Sequence, residues 1–264
     1  MTPRRPYRTD LSDARWALIE PVLSAWRAER AAAALPIAPP PEHDLREIVN
    51  AILYVNRTGM AWEYLPHDFP PPKTVYDYYA KWEKDGTTET IHGLLRGKAR
   101  ERAGRNPEPT AAIVDAQAVK ASSNAPDASQ GYDAGKKTKG RKRHIATDTL
   151  GLLLALVITA ASVQDTNGGK AVATALAAAH PSVTAGWVDN GYKTGFLEHA
   201  AAEGISFEQV SKLEGQKGFA VLPRRWVVER TFGWLVLHRR LVRDYELPRR
   251  RGNSYYPAIL VIPS

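Results

Sequence analysis

Three acidic residues sit in apolar surroundings. Asp115 interrupts the run AAIVDAQAV, Asp189 ends the run AGWV just before NGY, and Glu229 is the one acid in RRWVVERTFGWLVLHRRL, residues 224–241. Ionised carboxylates are rarely buried without a partner. Brought together, three such groups would hold magnesium or manganese, hard cations that take oxygen ligands. Two ions bridged by them would activate a water or hydroxyl nucleophile and stabilise the leaving oxygen of a phosphodiester. Each acid also has a plainer use. Asp189 suits a turn with Asn190 and Gly191, Asp115 an ion pair with Lys120 or with a base on a neighbouring strand, and Glu229 an ion pair with Arg225 one turn earlier. Asp148, in TDTLG, reads as a turn residue and Asp165, ahead of TNGGKAV, as a helix N-cap. His144 and His238 have no second histidine at ligand spacing and read as solvated or phosphate-contacting side chains.

Basic residues form the second feature. The 264-residue chain carries a formal net charge of +8, which favours polyanionic partners. The charge concentrates in KKTKGRKRH, which supplies Lys136, Lys137, Lys139, Arg141, Lys142 and Arg143, and recurs at Arg225, Arg239 and Arg240. Such runs are commonly solvated faces. This one leads straight into RHIATD, a strand expected beside that of Asp115, so its charges would lie close to the acids and hold a phosphate backbone there. There is no cysteine, which excludes disulfides and thiolate metal sites. The longest apolar stretch, Leu150 to Ala161, is too short to span a bilayer and reads as a buried strand, so a cytoplasmic protein with no membrane partner is expected.

The elements that must position these residues follow from periodicity. Ser12 caps a helix with Trp16, Ile19 and Leu23 on one stripe, Asp44 caps a second, and Thr74 opens a third through Trp82, in which packing is favoured over base reading. Residues 1–96 thus form a small helical domain. GKARERAGRNPEPT, residues 97–110, reads as a linker, and residues 111–264 as a second domain. There the order is three strands, the last two joined by a hairpin turn at TDTLG, then helix, strand, helix, strand and helix: a mixed α/β sheet with early hairpins and later crossovers. On a helical wheel, residues 224–241 are apolar nearly all round and predict one long, largely buried helix, with Gly233 permitting close approach of another backbone.

At these residues the chain resembles the DDE transposases of bacterial insertion sequences, specifically the insertion-sequence-five type. The matching segments are LSDARWALIEPVL, DLREIVNAILYVNRTGMAWEYLPHDFPP, AAIVDAQAVKAS, GYDAGKKTKGRKRHIATDTLGLLL, WVDNGY and WVVERTFGWLVLHRRL, in family order from about Leu11 to Pro248. The resemblance implies a ribonuclease-H-like catalytic domain behind a helical DNA-binding region, and a metal triad of Asp115, Asp189 and Glu229 holding two magnesium or manganese ions. It implies double-stranded DNA as partner, at terminal inverted repeats and a target site, a homodimer on that DNA, and nucleoid association. The implied chemistry is hydrolysis at the element's ends, followed by attack of the freed 3′-hydroxyl on target DNA; the alternative is an inactive relic that only binds DNA. Two departures stand out. The family's Tyr, Arg, Glu, Lys signature retains Arg225 and Glu229 but has Leu222 and Val236 at its outer positions, so Arg239 or Arg240 would replace the missing base. After DYELP the tail RRRGNSYYPAILVIPS, from Arg249, replaces the usual amphipathic helix, as a frameshift near Pro248 would produce, and predicts reduced stability.

Overall fold

The computed structural model describes residues 4–33, 43–122, 125–210 and 226–244. Residues 34–42, Arg225 with Leu222, and the atypical tail lie outside the described residues. The chain divides into two compact units. The first takes the chain as far as Leu95 together with His238–Leu241; the second begins at Arg96, runs to Leu237 and resumes at Val242.

The first unit holds α1 (Asp13–Ala32), α2 (Leu45–Thr58), α3 (Pro72–Lys84) and the start of α4 (Thr87–Arg102). Ser12 Oγ accepts from the Arg15 N–H at 3.3 Å and Asp44 Oδ1 from the Arg46 N–H at 2.8 Å, so both expected caps form. Helix α3 starts two residues ahead of Thr74, because a proline in the first turn gives up only an N–H that has no intrahelical partner. Ile19, Leu23, Ile48, Ile52, Val75 and Trp82 close the core, so α3 packs one face into it. Helix α4 takes in residues 97–102 of the stretch read as a linker. Its inner face includes Arg96 and Arg100, both buried, where a hydrophobic-period reading looks for apolar side chains.

The second unit is built on β1 (Ala111–Lys120), β2 (Gly131–Asp133), β3 (Thr138–Thr147), β4 (Leu153–Ala160), β5 (Ala185–Val188) and β6 (Ser206–Gln209). Strand β3 pairs antiparallel with β1 on one edge and with β4 and the short β2 on the other. Strand β1 pairs parallel with β5, and β5 with β6. The hairpin at TDTLG and the later crossovers are as expected. Helices α5 (Asp165–Ala179) and α6 (Thr194–Ala202) cover one face, packing Val172, Leu176 and Phe196 on Ala112, Val114, Ala146 and Val188. Asp165 opens the first turn of α5 instead of capping it, since Gln164 takes the cap position.

The long helix expected over residues 224–241 is two helices within the described residues: α7 (Trp226–Val236) and α8 (Arg239–Val242). Helix α7 buries Val227, Val228, Thr231, Phe232 and Leu235 but exposes Trp226, Glu229, Gly233 and Val236, so it is one-sided, not buried all round. It packs against β1 and β3. The residues it buries are absent from the α5–α6 core, so it covers the opposite face. A methyl group at Gly233 would meet nothing within 4 Å among the described residues. The close approach occurs instead at Gly151, whose φ of +81° suits glycine and where a Cβ would lie 2.8 Å from Thr231 Oγ1.

Candidate functional site

Parallel pairing sets the level of two of the three acids. Strands β1 and β5 are in register at Ala111↔Ala185, Ala112↔Gly186 and Ile113↔Trp187. Asp115 lies two residues beyond Ile113 and Asp189 two beyond Trp187, so they stand at one level where the strands leave their ladder. Side chains alternate along a strand. Ala112, Val114 and Val188 point into the α5–α6 core, so Asp115 and Asp189 belong to the other face, the one α7 covers. Asp115 Oδ1 accepts from the Ala116 N–H at 2.7 Å. Asp189 Oδ1 accepts from the Gly191 N–H at 2.8 Å, and its carbonyl from the Tyr192 N–H at 3.1 Å. The turn role of Asp189 is therefore real, and it coexists with the alignment beside Asp115. Tyr192, buried edge-on against Phe196 with its carbonyl accepting from Gln209 Nε2 at 2.5 Å, anchors that turn.

Glu229 occupies the first turn of α7 and is exposed. The helix is fixed over the β3–β4 turn, where Thr231 Oγ1 donates to Gly151 O at 2.7 Å and Arg230 to Leu150 O at 2.9 Å. Arg230 is also clasped between the rings of Trp226 and Trp234, at 4.3 and 4.6 Å. The turn beneath is pinned by Asp148, which is fully buried, ion-paired to Arg100, and accepts from the Leu150 and Leu152 N–H groups at 2.9 and 2.8 Å. Asp148 is thus structural, as read. Sequence reasoning missed Arg100, whose partner lies 48 positions away. Among the described residues no group of three acids or histidines is close enough to hold a metal ion. The fold aligns Asp115 with Asp189 and sets Glu229 on a helix over the same face, without closing a three-ligand cage. Magnesium is usually bound through one or two carboxylates and keeps several waters, so the aspartate pair fits such a cation by its donor chemistry.

The basic run divides. Arg141, Lys142 and Arg143 are only 3%, 5% and 2% exposed. Arg141 pairs with Asp244 at 2.6 Å, Lys142 with Asp133 at 3.1 Å and Asp165 at 2.9 Å, and Arg143 donates to Gln117 Oε1 at 3.4 Å. Arg141 and Lys142 spend their charges inside the fold on acids of other elements, while Arg143 is buried against the Gln117 amide. Lys136, Lys137 and Lys139 are exposed, Lys139 beside Asp127 at 2.8 Å. His144 is neither solvated nor available to phosphate: it is fully buried, its Nε2 lies 2.9 Å from Thr159 Oγ1, and burial pushes its pKa down to about 4. His238 is also held down to about 4, by burial and then by Arg57. Arg239 and Arg240 fall in the first unit. There Arg240 donates to Met60 O at 2.9 Å, and a Cβ at Gly59 would lie 2.8 Å from Arg239 Cβ. Arg225 lies outside the described residues.

Comparison with known families places these features. The family model of transposases of the IS4/5 family matches residues 11–92, and that of the transposase DDE domain matches residues 106–246, more than half of the chain. No curated protein and no solved structure matches the chain. No helix among the described residues is long and apolar enough to cross a membrane. The second unit, a mixed sheet with flanking helices and early antiparallel hairpins, is ribonuclease-H-like, as a DDE domain implies. With its helical unit and its sheet unit each matched in order along the sequence, the chain belongs to the DDE transposases of the IS4/IS5 type.

Proposed function

We propose that the protein cuts the ends of its insertion sequence by metal-dependent hydrolysis and joins the freed 3′-hydroxyl to target DNA. What supports this reading is register: Asp115 and Asp189 end adjacent parallel strands at one level, on the face crossed by the helix that carries Glu229. Asp115 and Asp189 hold magnesium or manganese, and Glu229 completes the ligand set when DNA is bound. Two such ions, when bound, supply activation of the nucleophile and stabilisation of the leaving oxygen. The hydrogen bonds from the Ala116 and Gly191 N–H groups orient the two carboxylates. The exposed Lys137 and Lys139 bind the phosphates that flank the cut. The helical unit supplies further DNA contacts, and two copies of the chain act together so that both ends of the element are held.

The test uses duplex DNA taken from the gene's own flanks. Asp115→Asn, Asp189→Asn and Glu229→Gln should each abolish magnesium- or manganese-dependent cleavage of that DNA while leaving binding largely intact. Full cleavage by the Asp115→Asn protein would sink the assignment. The protein–DNA complex should sediment with two chains, and a single chain per complex would refute the dimer.

A further inference from the structure

The turn between β2 and β3, residues 134–137, folds back toward β1. There Lys136 Nζ donates to the carbonyl oxygen of Ala116 at 2.9 Å. Ala116 is the neighbour of Asp115, and its N–H is the group that holds Asp115 Oδ1. The pairing of β1 with β5 ends at Ile113, and among the described residues that edge is next bridged at Ala121, to Asp244. On it Lys120 O accepts from the Asp244 N–H and the Ser122 N–H donates to Asp244 O, at 3.0 and 2.8 Å. Backbone groups of every second residue in a strand point to the same edge, so the Ala116 carbonyl faces this one too. The Lys136 ammonium therefore stands on the β5-side edge of β1, beyond the last β1–β5 pair and beside Asp115.

An ammonium has three N–H donors, and the Ala116 carbonyl takes one of them. Lys136 forms no ion pair with an acid among the described residues, unlike Lys139 with Asp127 and Lys142 with Asp133 and Asp165. Its side chain is exposed. The geometry points to Lys136 as a further catalytic residue, whose ammonium contacts a non-bridging oxygen of the scissile phosphate and offsets the negative charge that builds there during the displacement. The inference rests on the acid-pair reading above. No bond to Lys136 forms or breaks, and no proton leaves it. It differs from Lys137 and Lys139 in what its loss would change: a contact strengthened in the transition state affects the rate of the bound complex, whereas an ordinary backbone contact affects affinity.

The experiment compares the flanking-repeat duplex with the same duplex carrying a methylphosphonate at the scissile position. In single-turnover cleavage with magnesium, Lys136→Met should slow the bound complex about 100-fold, the scale of losing one preorganised oxyanion donor, while affinity falls far less. Lys136→Arg should recover most of the rate. In metal-free binding, the natural protein should favour the charged duplex over the methylphosphonate one, and Lys136→Met should bind the two alike. Lys136→Gln, which keeps a donor but no charge, repeats both measurements should the methionine variant melt early. Natural-rate cleavage by the uncharged variants, equal losses of rate and affinity, or retained discrimination would each overturn the role of Lys136. Asp115→Asn separates the two levels: if it still cleaves, the acid reading falls, and if it does not while Lys136→Met does, Lys136 alone falls.

Discussion

Gly168 leaves no room for a methyl group, because a Cβ there would overlap the His144 imidazole on the α5 face of the sheet. We expect Gly168→Ala to destabilise the protein by about 1–3 kcal/mol, the usual cost of overpacking, read from urea midpoints; an unchanged midpoint would refute the tight contact. A second residue carries a pH signature. Both carboxylate oxygens of Glu83 are buried. Burial pushes its pKa up to about 7, against the pull of Thr88 and with the charge of Glu89 acting in the same direction. A raised carboxyl pKa means that the folded state favours the proton, so this contribution is present in full below the unfolded value and is lost as pH rises toward 7. Glu83→Gln should therefore raise the melting temperature at pH 8 and change it little at pH 4, and an equal shift at both would contradict the assignment. Neither effect was legible in the sequence, since Gly168 and Glu83 look like ordinary helix residues until their neighbours are known.

Among the elements, the β3–β4 turn carries the most structural consequence, because α7 rests on it and α7 bears Glu229. Arg100 of α4 and Asp148 of the turn form a buried ion pair. Breaking such a pair by removing one partner leaves a buried charge uncompensated, so Arg100→Leu should cost about 3–5 kcal/mol. The exposed Lys139–Asp127 pair is of the kind that contributes only about 0–1 kcal/mol, so Lys139→Met should leave the denaturation midpoint nearly unchanged. Equal losses from the two substitutions would show that burial does not decide them. Periodicity predicted α1, α2, α5 and the order of the main strands because their apolar residues repeat at helical or strand spacing. It passed over α4, whose inner face includes arginines, and over β2, which has only three residues. It joined α7 to α8, because the Leu237–His238 break carries neither glycine nor proline.

Over the whole molecule, the net charge of +8 overstates what DNA can meet. Three of the six bases in the Lys136–Arg143 run are buried inside the fold, Arg141 and Lys142 against Asp244, Asp133 and Asp165, and Arg143 against Gln117. Each phosphate neutralised contributes about 0.9 to the slope of log affinity against log salt, so the Lys137→Met, Lys139→Met double variant should lower that slope by about 1.8. Binding titrations between 50 and 200 mM salt, roughly the range over which such contacts act, provide the check; an unchanged slope would exclude both lysines from the interface. Arg141→Met should instead lower stability, because it strands the buried Asp244 carboxylate.

The sequence by itself determined the family and the candidate acids, because ionisable residues within apolar strands are locally visible and the matching segments keep their order along the chain. It also determined the succession of the main strands and helices along the chain, since hairpin turns and apolar runs are written in neighbouring residues. Tertiary structure alone decided that Asp115 and Asp189 share a level and a face, through a parallel register between residues more than 70 positions apart. It alone decided which bases remain open to a ligand. Charge is a property of each residue, but whether that charge is spent depends on acids brought in from elsewhere in the chain, as Asp244 is for Arg141 across 103 positions.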